Sequence, residues 1–441
     1  MKARLLLILC ASLTLCSAAV AADWPQWRGP DRSGVSKETG LLKAWPKSGP
    51  KRLWTFKKAG LGFSGPAIVG DRLYTMGVRN EMTYVIALDV NKSEEIWSTK
   101  IGALFTFKGN EWGDGPRSTP TVDGDRLYAL DATGLLVCLE TAAGKEVWRK
   151  DLIKDLGGEM MTEWGYSESP LVDGAMLMCT PGGPKGTVAA LDKNSGQVIW
   201  RSTDLKNKAP YSSIVISEAA GIRQYIQTSY ISDEEGGVVS GFAVKDGKLL
   251  WSEPTFKEKS YAIAPTAIVR DNVVFVTSNM IGPGCHLFQI SSKGTGITVK
   301  DLYAKRNQRK LLLNDHGGVV LVGDHVYGHC GGKGWMCQDL KSGQVTWLDR
   351  NQLECQKSGS IVAADGRLYL FTDAGTVALL EANPEKWQES GRFDLPEKST
   401  SNKGRASGRD AAIWTPPVVA NGRLYLRDQE LLFCYDVREK K

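Results

Sequence analysis

A tryptophan returns at a nearly fixed interval along this chain, four residues after a small turn residue: Ser93 with Trp97, Gly144 with Trp148, Gly196 with Trp200, Gly247 with Trp251, Gly343 with Trp347. The spacings are 51, 52, 51 and 96 residues, the last being two repeats of 48. The absent member falls near Gly296 to Tyr303, where Tyr303 takes the aromatic place, and Trp387 continues the series less regularly. Such a period means one supersecondary unit copied many times. It outranks the two or three domains that 441 residues would otherwise suggest.

Each unit carries two further signals. A tight polar turn precedes an apolar-aromatic pair, as in Val69-Gly70-Asp71-Arg72-Leu73-Tyr74 and Ala420-Asn421-Gly422-Arg423-Leu424-Tyr425. Asp-Gly and Asn-Gly at these turns supply the positive φ angles of two-residue hairpins. A later strand ends in an acid (Asp89, Glu140, Asp192, Glu381, Asp436) that can accept hydrogen bonds from the next turn. The unit is therefore four short strands, and units open near Ser64, Ser118, Ser169, Ser212, Ala264, Asp315, Ser358 and Thr415.

A lone four-stranded sheet with two apolar faces must stack on copies of itself, and closing the stack into a ring removes its open ends. The expected fold is all-β: an eight-bladed β-propeller of four-stranded antiparallel blades. The last unit stops after three strands, so residues 51–56 with the early Trp54 should supply its fourth and close the ring. Trp54, Trp97, Trp148, Trp200, Trp251 and Trp347 then serve as structural wedges between blades. The expected organisation is a signal peptide at 1–22, an extended segment at 23–50 and one propeller at 51–441.

The start of the chain reads as a secretory leader: basic Lys2 and Arg4, an apolar run from Leu5 to Val20, and small residues Ala19 to Ala22 for cleavage. Leu9 and Leu15 stand before Cys10 and Cys16, where lipid attachment needs a small residue, so cleavage without a lipid is expected. No later apolar run reaches the roughly 18 to 20 residues of a membrane span. Loss of Lys2 and Arg4 lowers the formal charge from +6 to +4, too mild a balance to indicate nucleic acid. An exported protein, periplasmic or secreted, is expected; its oligomeric state is not legible.

The segment before each inner strand should open on the central channel. The candidate binding residues there are Asp114, Arg117, Glu163, Glu168, Tyr211, His316 and Trp414, with Glu111, Trp112, Trp164, Ser167, Ser212, Ser213, Asn314 and Asp315 beside them. Acids, an arginine, hydroxyls, a histidine and aromatics converging on one funnel suit a protein partner or a polar ligand such as a sugar or peptide. The same residues could instead merely line a hydrated channel. The four histidines fall between 286 and 329, two beside cysteines, but without metal-finger spacing; His316 and His329 should face opposite ways if strand alternation holds. Of seven cysteines after the leader, Cys138, Cys337 and Cys434 occupy equivalent places in different units, and only Cys330 with Cys337 is a candidate disulfide.

The Ala-Leu-Asp, turn, Gly-Lys/Gln-x-x-Trp pattern resembles the pyrroloquinoline-quinone-like propeller repeat over nearly the whole mature chain. The opening Trp24-Pro25-Gln26-Trp27-Arg28-Gly29-Pro30 also looks like the start of a group of exported bacterial propellers. The resemblance implies two functional classes. One is the quinoprotein dehydrogenase, holding pyrroloquinoline quinone between a tryptophan and a disulfide of adjacent cysteines, with calcium on Glu, Asn and Asp. The other is the cofactor-free propeller, such as the scaffold of outer-membrane protein assembly. This chain has no Cys-Cys pair and no Cys-x-x-Cys-His. The expectation is a non-catalytic binding or scaffold module without cofactor, the quinone and calcium being the alternative.

Overall fold

The computed structural model describes residues 22–439 apart from 108–109, 111–112, 257–261, 281–283, 295 and 402–411. The leader through residue 21, and with it Glu111 and Trp112, lies outside the described residues. Eight sheets follow one another round the ring, each built on four antiparallel strands counted outward from the centre; these are consecutive in the chain in blades 1 to 7, whereas blade 8 takes its fourth from the start of the ring and blade 7 carries a fifth, inner strand. Blade 1, for example, comprises Ala67–Val69, Arg72–Arg79, Met82–Asp89 and Glu94–Ala103. Among the described residues, helix is confined to the 3₁₀ turns Ala219–Gly221 and Gln308–Lys310, and no helix is long and apolar enough to cross a membrane. The fold is the eight-bladed propeller that the repeat predicts.

The periodic tryptophan lies on the outermost strand, in one row with the aromatic of the apolar-aromatic pair across the third strand: Trp97 pairs with Ala87 and Ala87 with Tyr74, and the two rings lie tilted with centroids 5.9 Å apart. Its indole N–H reaches the next blade, donating to a backbone carbonyl just after that blade's third strand. Trp54 donates to Val90 at 2.7 Å, Trp97 to Thr141 at 3.1 Å, Trp148 to Lys193 at 3.0 Å, Trp200 to Val244 at 3.2 Å and Trp347 to Asn383 at 2.9 Å. In blade 5 the Tyr303 hydroxyl donates to Leu340 O, so tyrosine does fill the missing place. Trp251 is the departure, since it donates within its own blade to Gln224 Oε1 at 2.6 Å. Each contact satisfies a polar group while burying a ring, which couples neighbouring blades in register.

Lys51–Phe56 pairs antiparallel with Leu431–Asp436, Trp54 opposite Cys434, and so completes blade 8 from the other end of the propeller. Arg427 locks this seam from inside. Its buried guanidinium donates to Ser64 O at 2.8 Å, Met76 O at 2.7 Å and Gly60 O at 3.0 Å, all of blade 1.

Residues 22–41 do more than lead into the ring; they fill its central channel. Trp24 bridges Ile68 of blade 1, and Pro25 O accepts from Val122 N of blade 2. Arg32 donates to Ser169 O and Pro170 O (3.0 Å) of blade 3, Trp27 to Thr266 of blade 5 at 3.0 Å, and Arg28 to Val319 O of blade 6. Val35–Ser36 adds a parallel strand to the inner edge of Gly359–Ala364 in blade 7. Glu38 accepts from Asn421 N and Gly422 N of blade 8. One segment thus touches seven blades.

Cys330 and Cys337 are free thiols. They cannot pair, because Cys330 opposes Gly334 and Cys337 opposes Tyr327, an odd offset along the ladder that sends the two side chains to opposite faces. Cys138, Cys337 and Cys434 instead each oppose their blade's tryptophan as small buried groups.

Candidate functional site

The sixth residue before the end of each inner strand falls at one place in the ring. Phe63, Arg117, Ser167 and Tyr211 hold it in blades 1 to 4, and Ala264, His316, Ser358 and Trp414 in blades 5 to 8. Seven of these eight line a cavity of about 810 Å³; in blade 7 Lys357 replaces buried Ser358. Plug residue Trp27 lines the cavity from the channel side and also borders a second, small pocket of about 20 Å³ among the plug residues Trp24, Arg28 and Gly34. The cavity is therefore a cup and not a pore.

One wall is aromatic. His316 meets Trp414 edge-on at 4.6 Å, and Trp414 stacks on Phe63 at 5.2 Å. The guanidinium of Arg117 follows, 5.9 Å from the Phe63 centroid and 5.3 Å from that of Phe105. Trp164 and Tyr211 form a second aromatic pair at 6.0 Å. Arg117 is held by the carbonyls of Gly113 at 2.9 Å and Gly115 at 3.0 Å, and no carboxylate of the described residues pairs with it. Burial lowers its pKa to about 10, which leaves it a cation at neutral pH.

His316 and His329 line the same cup, contrary to the expectation that they face apart. His316 sits in the segment before Val319–Val322, not within that strand, so strand alternation does not govern it. Burial, with the neighbouring imidazole and Lys357 acting on His316, lowers both to about 4, so both rings are neutral at pH 7. His316 Nε2 and His329 Nδ1 are buried without partners. The mouth carries Lys333, Arg350 and Lys357 against Glu354, and inside Asp315 accepts from Asn279 at 3.0 Å.

Arg117, Tyr211, His316 and Trp414 thus come together, whereas Asp114, Glu163 and Glu168 do not line the cup. Glu168 lies one residue past the ring position, where extended chain turns the side chain away. It is fully enclosed, accepts from Thr180 N at 2.6 Å and Thr180 Oγ1 at 2.9 Å, and burial raises its pKa to about 7 despite nearby Arg32. Asp114 is buried and accepts from Asn110 at 2.7 Å, while Glu163 is exposed. Phe63 and Lys357 were not singled out by the sequence, although Phe63 shares Arg117's register in the repeat. Trp27 carried no such signal, being outside any repeat.

The family described as outer membrane protein assembly factor BamB matches residues 81–349. Outer membrane protein assembly factor BamB of Yersinia pestis is 25% identical over 352 residues, covering 76% of this chain and 76% of that protein. The Shewanella oneidensis protein of the same name is 31% identical over 340 residues, 70% of this chain and 82% of the relative. Among solved structures, BamB from Moraxella catarrhalis superposes with a TM-score of 0.56 at 13% identity, covering 88% of this chain and 98% of that one. The quinohemoprotein alcohol dehydrogenase of Comamonas testosteroni gives 0.63 at 12% identity, covering 95% and 81%. At such identities the structural likeness carries the fold alone.

Proposed function

The chain belongs to the outer membrane protein assembly factor BamB family, and from that premise we propose that it is an exported, non-catalytic scaffold that binds protein partners in outer-membrane protein assembly. The match to 82% of a relative so named carries the reading. A ring locked blade to blade supports it, because a rigid frame presents its connecting loops as fixed recognition surfaces. We place the protein in the periplasm, on the strength of the basic and apolar leader from Lys2 to Val20. The test is in-cell crosslinking of the tagged chain together with its deletion. Expected are crosslinks to the outer-membrane assembly machinery and lower levels of folded outer-membrane proteins; the absence of both would overturn the proposal.

The quinone with calcium is the alternative raised by the repeat, and the residues present fit it poorly. Calcium takes about six to eight oxygen ligands, whereas the cup's carboxylates are Asp315, already bound to Asn279, and Glu354, exposed at the mouth. We therefore assign no cofactor. Calorimetric titration with pyrroloquinoline quinone, with and without calcium, should give no binding heat. Tight calcium-dependent binding would replace the scaffold with a dehydrogenase.

A further inference from the structure

The cup holds a set of groups that packing does not use up. Arg117 is a cation whose described contacts are two backbone carbonyls, and it sits against an aromatic wall. His329, 4% exposed, and His316 each present a buried ring nitrogen with no partner. A neutral imidazole nitrogen can donate or accept according to tautomer, which matches a hydroxyl, itself donor and acceptor. The two buried nitrogens, Nε2 of His316 and Nδ1 of His329, are closed to solvent, so a ligand in the cup meets the opposite nitrogens of these cup-lining rings, Nδ1 of His316 and Nε2 of His329, which no described group occupies. The indole and phenyl faces of Trp414 and Phe63 add apolar surface to the same wall.

We propose that the cup binds the end of an acidic oligosaccharide, with a uronate carboxylate on Arg117, ring C–H faces on Trp414 and hydroxyls on His316 and His329. Charge complementarity favours an anion: Lys333, Arg350 and Lys357 surround the mouth against Glu354. The closed floor at Trp27 admits a chain end and not a threading chain. About 810 Å³ lies within the range of ligand pockets, roughly 300 to 1,000 Å³. A peptide would instead need a line of backbone donors and acceptors, and the cup offers separate side-chain groups. This site is independent of protein scaffolding on the outer loops, so either can fail without the other.

The test is calorimetry of the intact mature protein with tetrasaccharides of galacturonate and of mannuronate, their methyl esters, and an aromatic-ended tetrapeptide as free acid. Expected is binding of at least one free-acid tetrasaccharide, weakened about tenfold or more by esterification or by Arg117→Met, with the ester indifferent to that substitution. Trp414→Ala, checked for an unchanged near-ultraviolet spectrum, should weaken the acid and its ester alike and covers the case in which Arg117→Met misfolds. No binding of any tetrasaccharide at 1 mM, equal affinity for acid and ester, or preference for the peptide would each overturn the proposal.

Discussion

At the scale of single residues, the interlock between blades makes steep and specific predictions. A Cβ on Gly144, at φ +68°, would lie 2.4 Å from the Trp97 ring of the preceding blade, whereas one on Gly366, at φ +72°, would meet nothing within 4 Å. Gly366→Ala should therefore cost about 1 kcal/mol for backbone strain alone and Gly144→Ala distinctly more, about 2 to 4 kcal/mol, by chemical denaturation. Half-buried Trp148 should lose about 2 to 4 kcal/mol on replacement by alanine. The buried titrating groups predict opposite pH effects. His316 and His329, near 4 when folded and about 6.5 when unfolded, take up protons only on unfolding between those values, so their contribution is lost as pH falls from 6.5 to 4. Glu168, raised to about 7, and Asp428, raised to about 6, keep protons that the unfolded chain releases, so theirs is lost as pH rises. His316→Asn with His329→Asn should lose less stability than the wild type on acidification over that window. Glu168→Gln should gain on it as pH rises from 4.5 to 7. The tryptophans and turn glycines were legible because they repeat. Glu168 was not, because which side of an extended chain a residue faces depends on counting from the strand, and the sequence shows only that an acid is near.

Elements that repeat could be read, and the one element that does not repeat could not be placed. The chain from 23 to 50 reads as an extended segment, and nothing in its composition says that it threads the channel through turns at Arg28, Gly29, Arg32 and Gly34. Its partners are single groups on seven blades, up to 398 residues away, so no local period or spacing records them. Arg28 and Arg32 are what a plug needs: buried cations reaching several carbonyls of the inner strands, both lowered to about 10 by desolvation. Replacing either by methionine would leave Val319 O, or Ser169 O and Pro170 O, without its buried donor. Each should cost about 2 to 4 kcal/mol, and a chain beginning at Lys51 should open the cup through Trp27's absence. Proteolysis after the plug, followed by gel filtration, tests whether 22–41 stays bound without a covalent link. Retention is expected from its contacts around the ring.

For the whole molecule, ring closure decides whether eight similar blades unfold as one body. Blade-to-blade contacts alone would give an open stack whose ends fray first. Here the two ends are joined three ways: by Lys51–Phe56 completing blade 8, by Trp54 donating to Val90, and by Arg427 reaching into blade 1. The first of these was legible, since an early tryptophan and a last unit one strand short imply each other. The Arg427 lock was not, because a lone arginine in a strand normally snorkels to solvent, and only the closed ring places carbonyls of Gly60, Ser64 and Met76 around it. Burial lowers its pKa to about 9, so the lock remains charged at neutral pH, and its cost of desolvation is offset only while those carbonyls stay in place. Arg427→Met takes a buried donor from all three at the seam and nowhere else, with Thr75 Oγ1 still reaching Ser64 O at 3.1 Å. The expected outcome is a loss of about 3 to 5 kcal/mol, accompanied by early hydrogen exchange in blades 1 and 8 while blades 3 to 6 remain protected. A uniform rise in exchange around the ring would instead mean that cooperativity resides in the blade interlocks and the plug, and that the seam is one joint among eight.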